Sequence, residues 1–373
     1  MIRKAHGRTQ RHPGANDALT DVAGLRVGHA RVSGAHALSG TTVVLGPQGG
    51  FVAAVDVRGG GPGTRETDAL DPRNLVQHTD AIVLTGGSAY GLDSASGVMA
   101  WLEEQQRGFR IGLDPAQVVP VVPAACLFDL GRGGDWRSRP DAATGRAAVM
   151  AAAGTEAGAP VAQGSVGAGT GAVVGGLKGG VGTASARLAQ GVTVAALVVV
   201  NAVGSAVDPL TGVLYGEYFQ GRAAHPGEEV HREALRRTRE AREESARRYA
   251  QSVRPPLNTT LAVVATDALL TRAQAQKLAG TAHDGFARAL RPVHQLTDGD
   301  TVFALSTGAL PLLTGEQDPA FAAQLAADAL NEVLAAGADT VTRAIVKAVR
   351  AATGADGPGG VFPAYGELYP GAG

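Results

Sequence analysis

Aromatic residues make up only 4% of this 373-residue chain, and cysteine occurs once, at Cys126. A lone cysteine closes no internal disulfide, which points to a reducing, cytoplasmic setting. The 33 basic and 34 acidic residues leave a formal net charge of −1. Without a basic excess, nucleic acid and anionic membranes are excluded as the main partners. No stretch approaches 18 consecutive apolar residues, so no membrane span is expected. The longest apolar stretch, within Val192 to Val200, suits a buried strand. Arg3, Lys4, Arg8 and Arg11 crowd the N-terminus, but no apolar segment follows them to make a signal peptide. The nine histidines show no His-Glu-x-x-His or comparable spacing, so no metal is expected.

Glycine, by contrast, is abundant, with 53 residues, about double its average share of roughly 7%. Hydrophobic residues reach 45% and charged ones 18%, a globular balance. The expected core is therefore Ala, Val and Leu packed closely around tight glycine turns. The length is enough for one large domain or two ordinary ones.

Along the chain, residues 1–20 read as a flexible tail. Strands are expected around Leu25–Gly28, Thr41–Leu45, Phe51–Val57 and Ala81–Thr85. A helical piece is expected to end near His78. Gly86-Gly87 turns the last of those strands into a helix reaching about Gln106, with Ser88 as its cap. Val118–Leu130 is strand-like, and a helix is expected from Asp141 to Ala153. Residues 164–182 hold nine glycines around Lys178, and Val192–Asn201 follows as a strand ending in a polar residue. Residues 228–250 alternate Arg and Glu, which suggests a solvated helix or arm inside a charged linker, 228–258. Beyond it come a helix over Thr271–Leu290 and a strand over Thr301–Ser306. A long helix from Ala320 to Ala352, broken near Gly337, and a Gly/Pro tail close the chain. Blocks of strands and helices without steady βαβ alternation imply a layered α+β architecture.

The chemically suggestive stretch is Pro255-Pro256-Leu257-Asn258-Thr259-Thr260, which opens the apolar, β-branched strand Leu261–Thr266. The proline pair stops regular structure just before that strand. If the Asn258–Thr259 bond were cut, Thr259 would carry a free α-amine beside its hydroxyl. An α-amine has a pKa of about 7.7–8.0, so it can serve as general base near neutrality. A terminal amine is a recognised activator of a threonine nucleophile. Two plainer readings stand beside this one: an N-glycosylation sequon, relevant only to a secreted chain, and two ordinary strand-forming threonines.

Gly167-Ala168-Gly169-Thr170-Gly171-Ala172 fits the dinucleotide fingerprint G-x-G-x-x-G/A. However, no Asp or Glu occurs from Val173 to Val207, and further glycines break the helix that the fingerprint requires. Lys178 lacks a phosphate-loop context, so no cofactor is expected. Asp298 and Asp300 are two residues apart and share a face if extended. Such a pair could hold an ammonium or hydroxyl, or could be two surface acids of a turn.

Several blocks resemble the self-cleaving family that contains the DmpA-type L-aminopeptidase/D-esterases, β-peptidyl aminopeptidases and nylon-oligomer (6-aminohexanoate-oligomer) hydrolases. They are Val55-Asp56-Val57-Arg58-Gly59-Gly60, Gly86-Gly87-Ser88-Ala89-Tyr90-Gly91-Leu92, Asn201 after its valine run, Asn258-Thr259-Thr260 and Asp298-Gly299-Asp300-Thr301. The resemblance spans roughly residues 20 to 350 and implies an αββα sandwich of N-terminal-nucleophile type. It implies self-cleavage at Asn258–Thr259 into a larger chain, 21–258 after the tail, and a smaller one, 259–373. Thr259 would be nucleophile and new N-terminus. Lys178 and Asn201 would polarise the amine and hold the oxyanion, Asp298 and Asp300 would orient the amine and hydroxyl, and Tyr90 and Phe128 would contact substrate.

Threonine with two aspartates places the chain on the nylon-oligomer-hydrolase side, whereas the aminopeptidase branch usually carries Ser and a Ser/Glu pair. Phe128 stands where the nylon-oligomer hydrolase has Tyr. The expected substrate is thus a small linear amide or peptide, and the expected assembly a homo-oligomer, such as a tetramer, of cleaved pairs. Ornithine acetyltransferases, which also self-cleave before Thr, offer an acyl-transfer alternative. They carry Lys-Gly-x-Gly-Met where this chain has Arg254-Pro255-Pro256-Leu257-Asn258.

Overall fold

The computed structural model describes residues 12–248, 257–313 and 318–371. Two five-stranded sheets face each other. The first runs, in spatial order, Arg26–Arg31, Gly40–Leu45, Ala81–Thr85, Ala124–Cys126 and Gly63–Arg65. The second runs Gly180–Arg187, Thr193–Val200, Leu261–Ala268, Thr301–Leu310 and Val52–Val57. Neighbours are antiparallel except for one parallel pair in each sheet: Ala81–Thr85 with Ala124–Cys126, and Leu261–Ala268 with Thr301–Leu310.

Three apolar layers follow from the two-residue alternation of the strands. Val44, Ile82, Leu84, Leu127, Leu197, Val199, Leu261, Val263 and Phe303 pack between the sheets. Val43, Val83, Ala124 and their neighbours point the other way, against the helices Ser94–Glu104 and Ala142–Ala153. Val198, Val264, Val302 and Ala304 meet the helices Arg272–Ala289 and Ala322–Ala351. The molecule is therefore an αββα sandwich, as the sequence blocks implied. Each fully buried Val, Leu or Phe contributes about 1.5–3 kcal/mol.

Part of the glycine excess lies where helices meet sheets. A Cβ on Gly28 would stand 2.2 Å from the Ala148 carbonyl oxygen, and one on Gly182 would stand 2.0 Å from that of Ala344. One glycine in each sheet thus lets an outer helix rest directly on the strand backbone.

Several expectations change. Of the presumed tail, residues 12–20 are anchored: Leu19 is buried, and Asp17 pairs with Arg343 and Lys347. The stretch before His78 contains only one short 3-10 turn, Asp68–Leu70. Ser88 caps nothing and sits at φ 52°. Val118–Leu130 shortens to Val118–Val119 and Ala124–Cys126.

The charged segment is a helix, Glu228–Arg248, docked along the C-terminal hairpin rather than a solvated linker. Its own Ala234 and Ala241 are buried, Arg237 donates to the Glu367 carbonyl and Arg248 pairs with Asp356. The Gly/Pro stretch is likewise not a tail, because it forms strands Ala355–Gly357 and Gly360–Phe362 and buries Tyr365. The long helix runs unbroken through Gly337, where a Cβ would press on Leu278. Pro255 and Pro256 lie outside the described residues.

Candidate active site

Strand register alone assembles the site. Leu261 pairs with Val199 on its antiparallel side and with Thr301 on its parallel side. Continuing both ladders two residues toward the strand mouth sets Asn201 beside Thr259 on one flank and Gly299 on the other. The contacts agree: the Thr259 N–H donates to the Asn201 carbonyl at 2.8 Å, and the Gly299 N–H donates to Thr259 Oγ1 at 3.1 Å. Residues 58 apart in one direction and 40 apart in the other therefore share one edge.

Thr259 is only 4% exposed. Its hydroxyl donates to the carbonyl oxygen of Asn258 at 2.6 Å, so the candidate nucleophile lies against the carbonyl of its own upstream peptide bond. The Gly299 N–H also reaches that carbonyl oxygen, at 3.2 Å. One backbone donor thus serves both the hydroxyl and the oxygen on which charge would develop.

Asn201 is fully buried, and its amide orientation is settled by its partners. Oδ1 accepts from the Val173 N–H at 3.0 Å and from Arg132, which leaves Nδ2 as the donor, facing the Phe128 carbonyl at 3.4 Å. Arg132 also donates to the Gly171 carbonyl at 2.7 Å and to Oδ1 of Asn258.

Asp298 and Asp300 are both about 1% exposed. Asp298 accepts from the backbone N–H of Gln295 at 3.2 Å and of Val203 at 3.4 Å. Burial, then the neighbouring Asp300 charge, pushes the Asp298 pKa up. Asp300 Oδ1 accepts the Thr260 N–H at 2.9 Å, and its Oδ2 takes the His294 N–H at 3.1 Å and meets His294 Nδ1 at 2.9 Å. In the intact chain the pair frames Thr259 through its neighbours, with no direct hydrogen bond to Thr259 among the described residues.

Lys178 holds the glycine-rich turn from within, and its side chain makes no hydrogen bond to Thr259 among the described residues. Its ammonium donates to the carbonyls of Gly169, Ala172 and Gly179 at 3.0–3.1 Å. Burial lowers its pKa to about 7, with the Arg132 charge adding to the effect and Asp129 opposing it. Asp129, also buried, is raised to about 6 by desolvation against the Gly87 N–H at 2.7 Å and the Arg132 charge. Tyr90 is exposed, with Arg139 stacked on its ring at 3.7 Å. Phe128 packs edge-on against Trp136.

Arg132, Gly299, His294 and Trp136 escaped the sequence reading. Only Gly299 carried a signal, standing between two acids at the mouth of a strand. No group of three or more His, Cys, Asp or Glu that could hold a metal occurs among the described residues. No described helix is long and apolar enough to cross a membrane.

The double sheet, the helices outside it and a threonine at a strand mouth define the N-terminal-nucleophile-hydrolase class of fold. Residues 17–362 match peptidase family S58, and the chain belongs to that family. It is therefore a hydrolase acting on amide bonds. An uncharacterized aminopeptidase of Mycobacterium tuberculosis is 46% identical over 367 residues, covering 95% of this chain and 99% of the relative. A 6-aminohexanoate-oligomer endohydrolase of Kocuria sp. is 30% identical, covering 82% and 79%. Among solved structures, a Burkholderia sp. beta-aminopeptidase superposes with a TM-score of 0.67 at 25% identity, covering 96% of this chain and 94% of that one.

Proposed function

We propose that this family S58 hydrolase cuts its own chain at Asn258–Thr259 and uses Thr259 as a terminal nucleophile on linear amides such as 6-aminohexanoate oligomers. The carrying observation is the Thr259 hydroxyl 2.6 Å from the Asn258 carbonyl oxygen, with the Gly299 N–H between the two. In self-cleavage, Oγ1 attacks the Asn258 carbonyl carbon and the C–N bond breaks, leaving an ester and a free Thr259 amine. Water then hydrolyses the ester to the Asn258 carboxylate. The Asn201 carbonyl, which accepts the Thr259 amide N–H, is placed to accept from the new amine.

In turnover that amine takes the hydroxyl proton as Oγ1 attacks the substrate carbonyl. It then returns the proton to the departing amine, and water releases the acid. The Gly299 N–H and the Asn201 amide supply the donors for the oxyanion. Asp298 and Asp300 orient Thr259 through the backbone that they hold.

Mass spectrometry of the purified protein tests the cut. Fragments 1–258 and 259–373, roughly 26 and 12 kDa when the 37.6 kDa chain is scaled by length, are expected from wild type. A single chain is expected from Thr259→Ala. Wild-type protein that is active and uncut refutes the proposal.

Release of N-terminal residues from peptides is a second reading, favoured by the 46% identity to a protein named an aminopeptidase. Hydrolysis of 6-aminohexanoate oligomers, with aminoacyl p-nitroanilides left intact, supports the first reading; the reverse supports the second. A homo-oligomer of cleaved pairs belongs to the same proposal and is read by light scattering.

A further inference from the structure

Asn258 is the residue on the acyl side of the bond to be cut, and its polar groups are held from opposite directions. Its N–H donates to the Thr297 carbonyl at 3.2 Å, and its own carbonyl takes the Gly299 N–H and the Thr259 hydroxyl. Its side-chain Oδ1 takes one arm of the Arg132 guanidinium. The other arm reaches Oδ1 of Asn201 and the Gly171 carbonyl.

We propose that Arg132 is the positioning residue of self-cleavage, and that it makes asparagine the preferred residue at 258. This rests on Thr259 being the nucleophile. A planar guanidinium can bridge two amide oxygens on separate elements in a fixed geometry, which a lysine ammonium cannot. Holding the Asn258 side chain fixes the rotation of its carbonyl against Gly299 and Thr259. Holding Asn201 Oδ1 turns Nδ2 outward as a donor. Both halves of the reacting geometry therefore depend on one side chain from a turn far away in sequence.

The test is a time course of self-cleavage after cell-free translation, read on denaturing gels, for wild type, R132Q, R132K, N258A and the double variant R132Q/N258A. Thermal melts of the Arg132 and Asn258 changes on an uncut Thr259→Ala background report folding separately. A hydrogen bond to a charged group is worth enough to slow each single variant by about 10- to 100-fold. Because both single changes break the same contact, the double variant should be no slower than the slower single. R132K should remain slow, since one ammonium cannot make the bridge.

A double variant slowed by the product of the single effects, or N258A cut at the wild-type rate, overturns the inference while the Thr259 reading stands. If R132Q misfolds, N258A still decides the question with Arg132 intact. Wild-type chain that remains uncut overturns both.

Discussion

Gly299→Ala tests the site most directly, because it adds one methyl group at the place where chemistry is expected. A Cβ at 299 would lie 2.6 Å from Thr259 Oγ1, 2.8 Å from the Gly61 carbonyl oxygen and 3.1 Å from Pro62 Cα. Favourable carbon contacts lie at about 3.5 Å or beyond, so the methyl has to displace something. The backbone at 299 is not left-handed, so alanine itself is not strained there. Overpacking of this kind costs about 1–3 kcal/mol, within the 5–15 kcal/mol stability of an ordinary fold. The variant should therefore fold.

Two of the three displaced neighbours are backbone, so the hydroxyl is the group free to turn away. A misplacement near 1 Å costs on the order of 10²-fold, and loss of an oxyanion donor costs about 10²–10³-fold. Self-cleavage of Gly299→Ala should accordingly slow by at least about 10²-fold. The assay is the same gel time course, with Gly227→Ala as control, since a Cβ there meets nothing within 4 Å. Cleavage of Gly299→Ala at the control rate, in a normally folded protein, would show that Thr259 and Gly299 do not meet as described.

Two further outcomes follow from the buried acids. Asp129 is raised to about 6, so the native state binds more protons than the unfolded chain between about pH 4 and 6, and stability falls as pH rises through that window. Asp129→Asn keeps an acceptor for Gly87 but removes this dependence. The stability difference from wild type should change by up to about 3 kcal/mol between pH 4 and 6.5, and a constant difference in denaturant titrations refutes it. Asp300→Asn leaves either the Thr260 N–H or the His294 N–H and its neighbouring Nδ1 without a carboxylate oxygen. It should lower kcat of the cut enzyme by about 10- to 100-fold, and unchanged kcat in a cut, folded variant makes Asp300 a packing residue only.

The local parts of this architecture were legible. Ala142–Ala153 begins one residue after Asp141, whose carboxylate caps the Thr144 N–H, and Arg272–Ala289 begins after Thr271, which caps Gln274. Valine runs mark the buried strands because both of their faces are covered. Local chemistry misled wherever a distant partner decided the outcome. Glu228–Arg248 looks solvated by composition, yet its two buried alanines give it a seat on the C-terminal hairpin. Gly337 looks like a break but is room made for Leu278.

The site divides in the same way. Thr259, Asp298 and Asp300 stand at strand mouths and could be found from hydroxyls and carboxylates placed where a plain strand has no use for them. Arg132 sits in a glycine-rich turn among other arginines, and nothing in its surroundings distinguishes it. Its importance comes only from the ladder that carries Asn201 beside Thr259 and from the register that sets Asn258 against Asp298. Much of the apparatus around the Asn258–Thr259 bond is backbone: the Gly299 N–H, the Asn201 carbonyl and the Thr297 carbonyl. Every residue type supplies a backbone carbonyl and every type except proline an N–H, so side-chain identity says little about them. What selects them is register, and register is a property of paired strands that no single stretch of sequence displays.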